Sequence, residues 1–223
     1  MNTKPYRLLI FGAGVIGSVY ALRFAQSGLD VTILARGKRL EALKRDGMKY
    51  NDHGTIKQIS IKTIEKLDND DIYDYVFVPV RYDQAESALS AIKHNRSKTI
   101  VTLTNTIGYD AWLDIVGDRL LPGFPGAGGD IKEDVLYAQF GSEKHQGTVF
   151  GEINGLTTER VKELAQLFES AGLHYEIQKG YAGLPYFAYG ARDRQQAFLY
   201  ERRHGGYRDG KKRKHAKQDR RRY

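Results

Sequence analysis

Short apolar runs alternate with amphipathic stretches along the first part of the chain. Residues 6–11, YRLLIF, form an apolar run of strand length, and residues 15–28 place apolar side chains at helical spacing before a glycine. Residues 30–35, DVTILA, form a second strand-length run that is rich in β-branched side chains. The succession of strand, helix and strand predicts a βαβ unit, the building block of a parallel sheet.

The same alternation continues to residue 178. Further strands are predicted at 73–80, 98–104, 148–153 and 174–178, and further helices at 38–47, 83–93 and 157–172. The runs at 73–80 and 98–104 are almost continuously apolar, which is typical of parallel strands that are buried on both faces. We therefore predict an α/β fold for residues 1–179, with a Rossmann-type, doubly wound and mostly parallel sheet.

A glycine-rich loop follows the first predicted strand directly. In GAGVIG, residues 12–17, Gly12 permits a tight turn, Gly14 lets the backbone approach a pyrophosphate, and Gly17 lets the helix pack closely on the sheet. The helix that begins here offers free N–H groups and a dipole that favours phosphate. Because the motif lies between a predicted strand and a predicted helix, it predicts a dinucleotide site formed by Gly12, Ala13, Gly14, Val15, Ile16 and Gly17.

The end of the second strand indicates which dinucleotide binds. NAD sites usually carry Asp or Glu there, whereas this chain reads ILARGKR and has Arg36, Lys38 and Arg39 without an acid. Cations suit a 2′-phosphate, which an acid would repel. Arg36 follows Gly17 by 19 residues, the spacing expected for this ligand. We predict NADP(H) with Arg36 and Arg39 as ligands, although Lys38 and Arg39 also fit a solvated helix start.

Several longer segments resemble the ketopantoate reductase family, the NADPH-dependent 2-dehydropantoate 2-reductases, over roughly residues 6–178. They are LLIFGAGVIGSVYALRFAQSGLDVTILARGKRLEALKRDG, VFVPVRYDQAESAL, TLTNTIGYDAWL, GFPGAGGD and GTVFGEI. The resemblance implies hydride transfer from NADPH to the ketone of a 2-oxo acid, with 2-dehydropantoate reduced to pantoate in pantothenate biosynthesis. A related reductase with another substrate and a stand-alone NADP(H)-binding module are the alternatives.

The resemblance also implies roles for two further residues. Arg81 stands where the family often has a lysine near the cofactor, and Asn105 matches the Asn of the family's Asn-Gly-x-Gly segment beside the nicotinamide, so we predict Asn105 as a catalytic residue. Arg81 equally fits a surface arginine after a strand. Thr106 replaces the family's glycine, so the turn differs, and Asn105 also fits a residue that caps the turn to Gly108.

The net charge of +8 is concentrated in the last part of the chain. Residues 191–223 hold 13 of the 35 basic and 4 of the 27 acidic residues, while residues 1–180 are almost neutral. Apolar periodicity also stops near residue 180, and the helical C-terminal domain of the family, which carries its catalytic lysine, is not recognisable. We therefore predict that residues 180–223 are a basic tail without a folded core.

Our hypothesis for that tail is a shift of reading frame. The residues after Lys179, Gly-Tyr-Ala-Gly-Leu, can be encoded by GGA TAT GCA GGC TTG. Removing one G gives Asp-Met-Gln-Ala, which resembles the way the family continues. We expect residues from about Gly180 onward to be out-of-frame, and a tail that binds nucleic acid through its charge is the alternative.

Composition narrows the class of protein further. The chain contains no cysteine, so disulfides are excluded, and its six histidines lack metal-ligand spacing. No apolar run approaches the roughly 18–20 residues of a membrane span, and no signal-peptide pattern is evident. We expect a cytoplasmic protein that binds a small-molecule 2-oxo acid and no metal or membrane. The oligomeric state is left open.

Overall fold

A computed structural model describes residues 6–106, 108–140 and 147–178 of the chain. Its strands are β1 (Arg7–Phe11), β2 (Asp30–Leu34), β3 (Met48–Asp52), β4 (Thr55–Ile59), β5 (Lys62–Ile64), β6 (Tyr75–Val78), β7 (Ile100–Leu103), β8 (Leu120–Phe124), β9 (Ala127–Lys132), β10 (Val135–Phe140), β11 (Thr148–Phe150) and β12 (Tyr175–Ile177). Its helices are α1 (Val15–Gln26), α2 (Gly37–Asp46), α3 (Tyr82–Ala91), α4 (Asp110–Val116) and α5 (Glu159–Ser170). The predicted tail, residues 180–223, lies outside the described residues, so its boundary stays a prediction.

The larger sheet has eight strands in the order β12-β11-β8-β7-β6-β1-β2-β5. From β5 to β8 every neighbouring pair is parallel, while β11 is antiparallel to β8. The chain runs outward from β1 to β2 and β5 and then returns to β6, on the other side of β1. The predicted doubly wound, mostly parallel sheet is confirmed, and its strand order reverses between β1 and β6.

An aromatic cluster joins two helices to one face of this sheet. Phe24 of α1 lies 5.2 Å from Phe77 of β6 and 5.5 Å from Phe168 of α5, measured between ring centroids. Phe168 in turn lies 5.1 Å from Phe150 of β11. All four side chains are fully buried. Rings at these separations add attraction to their large buried area, so the cluster fixes α1, the helix that follows the glycine loop, on the sheet.

A second, four-stranded sheet has the order β4-β3-β10-β9 and is missing from the sequence-based prediction, as are α4, β5 and β8. Its strands β9 and β10 contact α1. Two tight turns build it, one with His53 and Gly54 at positive φ and one with Glu133 and Asp134 at positive φ. None of the helices in the described ranges is long and apolar enough to cross a membrane.

Candidate functional site

Two of the three loop glycines are required by the surrounding backbone. Gly12 has a φ of 123°, a region that favours glycine, and its N–H donates a 3.1 Å hydrogen bond to the carbonyl of Leu34 at the end of β2. At Gly17 an added Cβ would overlap the carbonyl oxygen of Gly12 and lie 3.1 Å from side-chain carbons of Ile10 and Pro79. Both glycines therefore hold α1 close against β1.

Gly14 differs, because an added Cβ would have no atom of the other described residues within 4 Å, apart from its own chain neighbours. It is the N-cap residue of α1, whose first turn contains no acidic residue. The first N–H groups of a helix lack intrahelical partners and favour an anion. The space beside Gly14 therefore allows the close approach of a pyrophosphate that the glycine motif predicts.

A cleft of about 440 Å³ opens beside this loop, at the point where the strand order reverses. One side is formed by residues 11–13, at the end of β1, and residues 34–36, at the end of β2. The other side consists of Val80 and five residues of α3, namely Asp83, Gln84, Ser87, Ala88 and Ala91. Ligands of open α/β sheets bind at such a position, outside the carboxyl ends of the strands.

Arg36 lies where the sequence predicts a phosphate ligand. It is an exposed cleft residue and the N-cap residue of α2, whose first turn contains no acid. Its guanidinium has no ion-pair partner among the residues that the structure describes. A planar, unpaired guanidinium at this cleft fits the recognition of a phosphate group.

Arg39, predicted with Arg36, points to a different part of the molecule. Its side chain is only 17% exposed and lies 3.6 Å from the carboxylate of Asp134, in the turn between β9 and β10. It also donates to the carbonyl of Asp134 at 3.2 Å. Burial lowers the pKa of Arg39, and the nearby Asp134 carboxylate opposes that shift. The structure thus brings Arg36, but not Arg39, to the lining of the cleft.

Arg81 is the N-cap residue of α3 and forms a two-pronged ion pair with Asp83. Its Nε lies 3.1 Å from Oδ1 and its Nη2 lies 2.7 Å from Oδ2 of that carboxylate. Asp83 lines the cleft, whereas Arg81 does not belong to the lining. The sequence interpretation missed Asp83, although an acid two residues after the predicted ligand was a usable signal.

Asn105 is exposed just after β7, at the same carboxyl edge of the sheet as the glycine loop. The hydroxyl of Thr104 donates a 2.8 Å hydrogen bond to the carbonyl of Val80, which ties the end of β7 to the cleft. Thr106 closes the turn by side-chain hydrogen bonds to Gly108, at 3.0 Å to its carbonyl and 3.3 Å from its N–H. The hydroxyl of Thr106 therefore stabilises the turn where the family pattern has glycine.

A buried ion pair away from the cleft was also missed. Glu152, after β11, accepts hydrogen bonds from Nε and Nη2 of Arg160 in α5, at 2.7 and 2.6 Å, and from the hydroxyl of Thr158 at 2.6 Å. Burial opposes ionisation, yet Arg160 and Thr158 together hold the pKa of Glu152 below its ordinary value. This cluster anchors the start of α5 on the sheet.

Comparison with known proteins identifies the family. The family model for "Ketopantoate reductase PanE/ApbA" matches residues 8–155, more than half of the chain. The chain belongs to the ketopantoate reductase family. The 2-dehydropantoate 2-reductase of Archaeoglobus fulgidus is 28% identical over 175 residues, 78% of this chain and 56% of that protein. The enzyme of Pyrococcus horikoshii is 26% identical over 178 residues, 79% of this chain and 58% of that protein. The chain therefore spans just over half the length of these relatives.

Solved structures share the fold. A D-mandelate dehydrogenase in a ternary structure with NADH and anilino(oxo)acetate has a TM-score of 0.67 at 20% identity, covering 82% of this chain and 59% of that one. A 2-dehydropantoate 2-reductase from Geobacter metallireducens has a TM-score of 0.65 at 24% identity, covering 78% and 58%. This ketopantoate reductase family member therefore shares its Rossmann-like fold with these structures.

Proposed function

We propose that the chain binds NADP(H) in the cleft and forms the cofactor-binding part of a cytoplasmic reductase that converts 2-dehydropantoate to pantoate, a step of pantothenate biosynthesis. The observation that carries this proposal is Arg36, which lines a cleft at the strand-order reversal and has no ion-pair partner among the described residues, in a member of the ketopantoate reductase family. A guanidinium at this position favours a cofactor that carries a 2′-phosphate.

Each predicted residue has a role in this proposal. The backbone of Gly12–Gly17, with Ala13, Val15 and Ile16 between the glycines, holds the pyrophosphate at the N-terminus of α1. Arg36 binds the 2′-phosphate, and Arg81 binds a phosphate when it is released from Asp83. Contacts with Asp134 and with Ser18 of α1 hold the side chain of Arg39 in place. From there its charge contributes positive potential to the N-terminal end of α2.

The reaction itself is centred on the carboxyl end of β7. NADPH bound here would supply a hydride for the ketone carbon of the 2-oxo acid, and the carbonyl oxygen would take up a proton from solvent, which gives the 2-hydroxy acid. Asn105, exposed at that edge, hydrogen-bonds the reacting groups and orients them. Thr104 and Thr106 keep its backbone in place, through Val80 and Gly108 respectively.

Two other functions compete with this one. The shared fold with a D-mandelate dehydrogenase crystallised with anilino(oxo)acetate favours a reductase of a different 2-oxo acid as the second candidate. A module that binds NADP(H) without turnover is the third candidate, and the glycine loop and the cleft support it.

One assay series separates the three functions. The purified chain is titrated with NADPH and NADH, and oxidation of NADPH is then followed with 2-dehydropantoate and with aryl and alkyl 2-oxo acids. Turnover that is fastest with 2-dehydropantoate supports the proposal, and faster turnover with another 2-oxo acid supports the second candidate. Binding without turnover of any of them supports the module, and failure to bind either dinucleotide contradicts all three.

A further inference from the structure

The ion pair between Arg81 and Asp83 lies at the boundary of the proposed cofactor cleft. Val80 and Gln84, on either side of the pair in sequence, both line the cleft, and so does Asp83. Arg81 is excluded from the lining, although it is the residue between Val80 and α3. Its guanidinium is instead engaged on both carboxylate oxygens of Asp83, at 3.1 and 2.7 Å.

The cleft therefore has cationic and anionic sides. Arg36, from the end of β2, has no ion-pair partner in the described part of the chain, and Asp83, from α3, is the one acidic residue of the lining. The remaining α3 residues of the lining, Gln84, Ser87, Ala88 and Ala91, are uncharged. A carboxylate on the α3 side of the cleft repels the phosphates of a dinucleotide. It also holds the guanidinium of Arg81, the residue just before α3, in an ion pair.

We propose that Asp83 sets the affinity of the cleft for the cofactor by competing with the cofactor phosphates for Arg81; this inference rests on the proposed function. With the ion pair closed, Arg36 alone offers its full charge to the cofactor. When a phosphate displaces the carboxylate, Arg81 becomes a second cationic ligand. Asp83 thereby weakens cofactor binding and speeds cofactor release. The sequence feature that produces this behaviour is an acid placed two residues after the cation.

The pair is solvent-accessible, which sets the size of the effect. The side chains of Arg81 and Asp83 are 75% and 62% exposed. Exposed ion pairs contribute little to stability and are screened by salt. Opening this pair is consequently easy, and its removal should change the dissociation constant of NADPH by about two- to five-fold at low ionic strength.

A double-mutant cycle tests the mechanism. The dissociation constant of NADPH is measured by fluorescence titration for the wild type, D83N, R81Q and the double variant, at low and at high salt. D83N should bind NADPH more tightly, and by a larger factor when Arg81 is present than in the R81Q background. The difference should shrink at high salt. D83S provides a second replacement if D83N unfolds at a lower temperature than the wild type.

Glu86→Gln is the matched control, because Glu86 is an exposed acid on the same helix that does not line the cleft. Equal tightening by D83N and E86Q, equal tightening in both Arg81 backgrounds, or no tightening overturns the inference while leaving the proposed function intact. Absence of NADPH binding by the wild type would instead contradict the proposed function itself.

Discussion

The glycine-rich loop and the first turn of α3 face the same cleft, yet different interactions hold them in place. At the loop, the backbone sets the geometry: Gly12 needs a positive φ, and Gly17 abuts the carbonyl of Gly12. At α3, side chains set it, through the Arg81–Asp83 pair and the hydrogen bond from Thr104 to Val80. A backbone requirement restricts a position to one residue type, whereas side-chain partners can be exchanged for others. The glycine-rich loop can therefore be recognised as a sequence motif, and the first turn of α3 cannot.

The loop should therefore be intolerant of substitution at Gly17. Gly17→Ala should lower the free energy of unfolding by about 3 kcal/mol, because the new methyl group would overlap the backbone of Gly12 and crowd Ile10 and Pro79. NADPH binding should be lost with it. Chemical denaturation followed by circular dichroism measures the stability, and titration measures the binding.

Gly14→Ala provides the matched control for that comparison. Its added Cβ meets no protein atom within 4 Å, and its φ of −69° suits any residue. The free energy of unfolding should therefore change by less than about 1 kcal/mol. NADPH affinity should still fall by about tenfold, because the methyl group fills the space that the pyrophosphate needs. Similar losses of stability in both glycine variants would contradict this account of the loop.

Arg36→Ala tests how much the positive charge of the cleft, as distinct from its shape, contributes to NADPH binding. Removing the unpaired guanidinium should weaken NADPH binding by about 10- to 100-fold, as expected for a charge-assisted hydrogen bond to phosphate, and NADH binding much less. Lys38→Ala, an exposed neighbour outside the cleft lining, is the control. If K38A loses as much NADPH affinity as R36A, the assignment of Arg36 is wrong.

Glu152→Gln tests a side-chain cluster that is distant from the cleft. It should lower the free energy of unfolding near neutral pH by about 1–3 kcal/mol, because Arg160 loses its ionised partner, and leave the NADPH affinity unchanged. In the wild type the pKa of Glu152 is lower in the folded than in the unfolded state. Its contribution is therefore present above the ordinary value of 4.5 and lost as the pH falls through the lower, folded value.

Unfolding curves of the wild type and E152Q across this range measure the effect. The stability difference between them should be largest at neutral pH and shrink in acid. A stability difference that is constant with pH would mean that the ionisation of Glu152 does not contribute to the stability of the folded state.

The smallest effect concerns the contact that holds the α3 side of the cleft. Thr104→Val, which preserves the shape of the side chain, should lower the free energy of unfolding by about 1 kcal/mol, because the carbonyl of Val80 loses its donor. Thr104→Ser retains the hydroxyl and should retain most of that stability. If serine and valine behave alike in thermal denaturation, the hydrogen bond is not what stabilises this end of β7.

The sequence predicts β6 and β7 correctly because they are buried on both faces and read as continuous apolar runs, at 73–80 and 98–104. It misses β8, which contains Pro122 and Gly123. It misses β4, whose residues are mostly exposed and lack an alternating pattern. The sequence also does not reveal which of Arg36 and Arg39 lines the cleft, because both are arginines at the start of α2. Arg39 differs only by its contact with Asp134, 95 residues further along the chain, a partner that no local pattern reveals.

The relative affinity of the wild-type chain for NADPH and NADH tests the central claim most directly. Both dissociation constants are measured by titration at low ionic strength. Arg36, which has no ion-pair partner in the part of the chain that the structure describes, predicts that NADPH binds at least about tenfold more tightly than NADH. Equal affinities, a preference for NADH, or no binding of either would contradict the assignment of this cleft as an NADP(H) site.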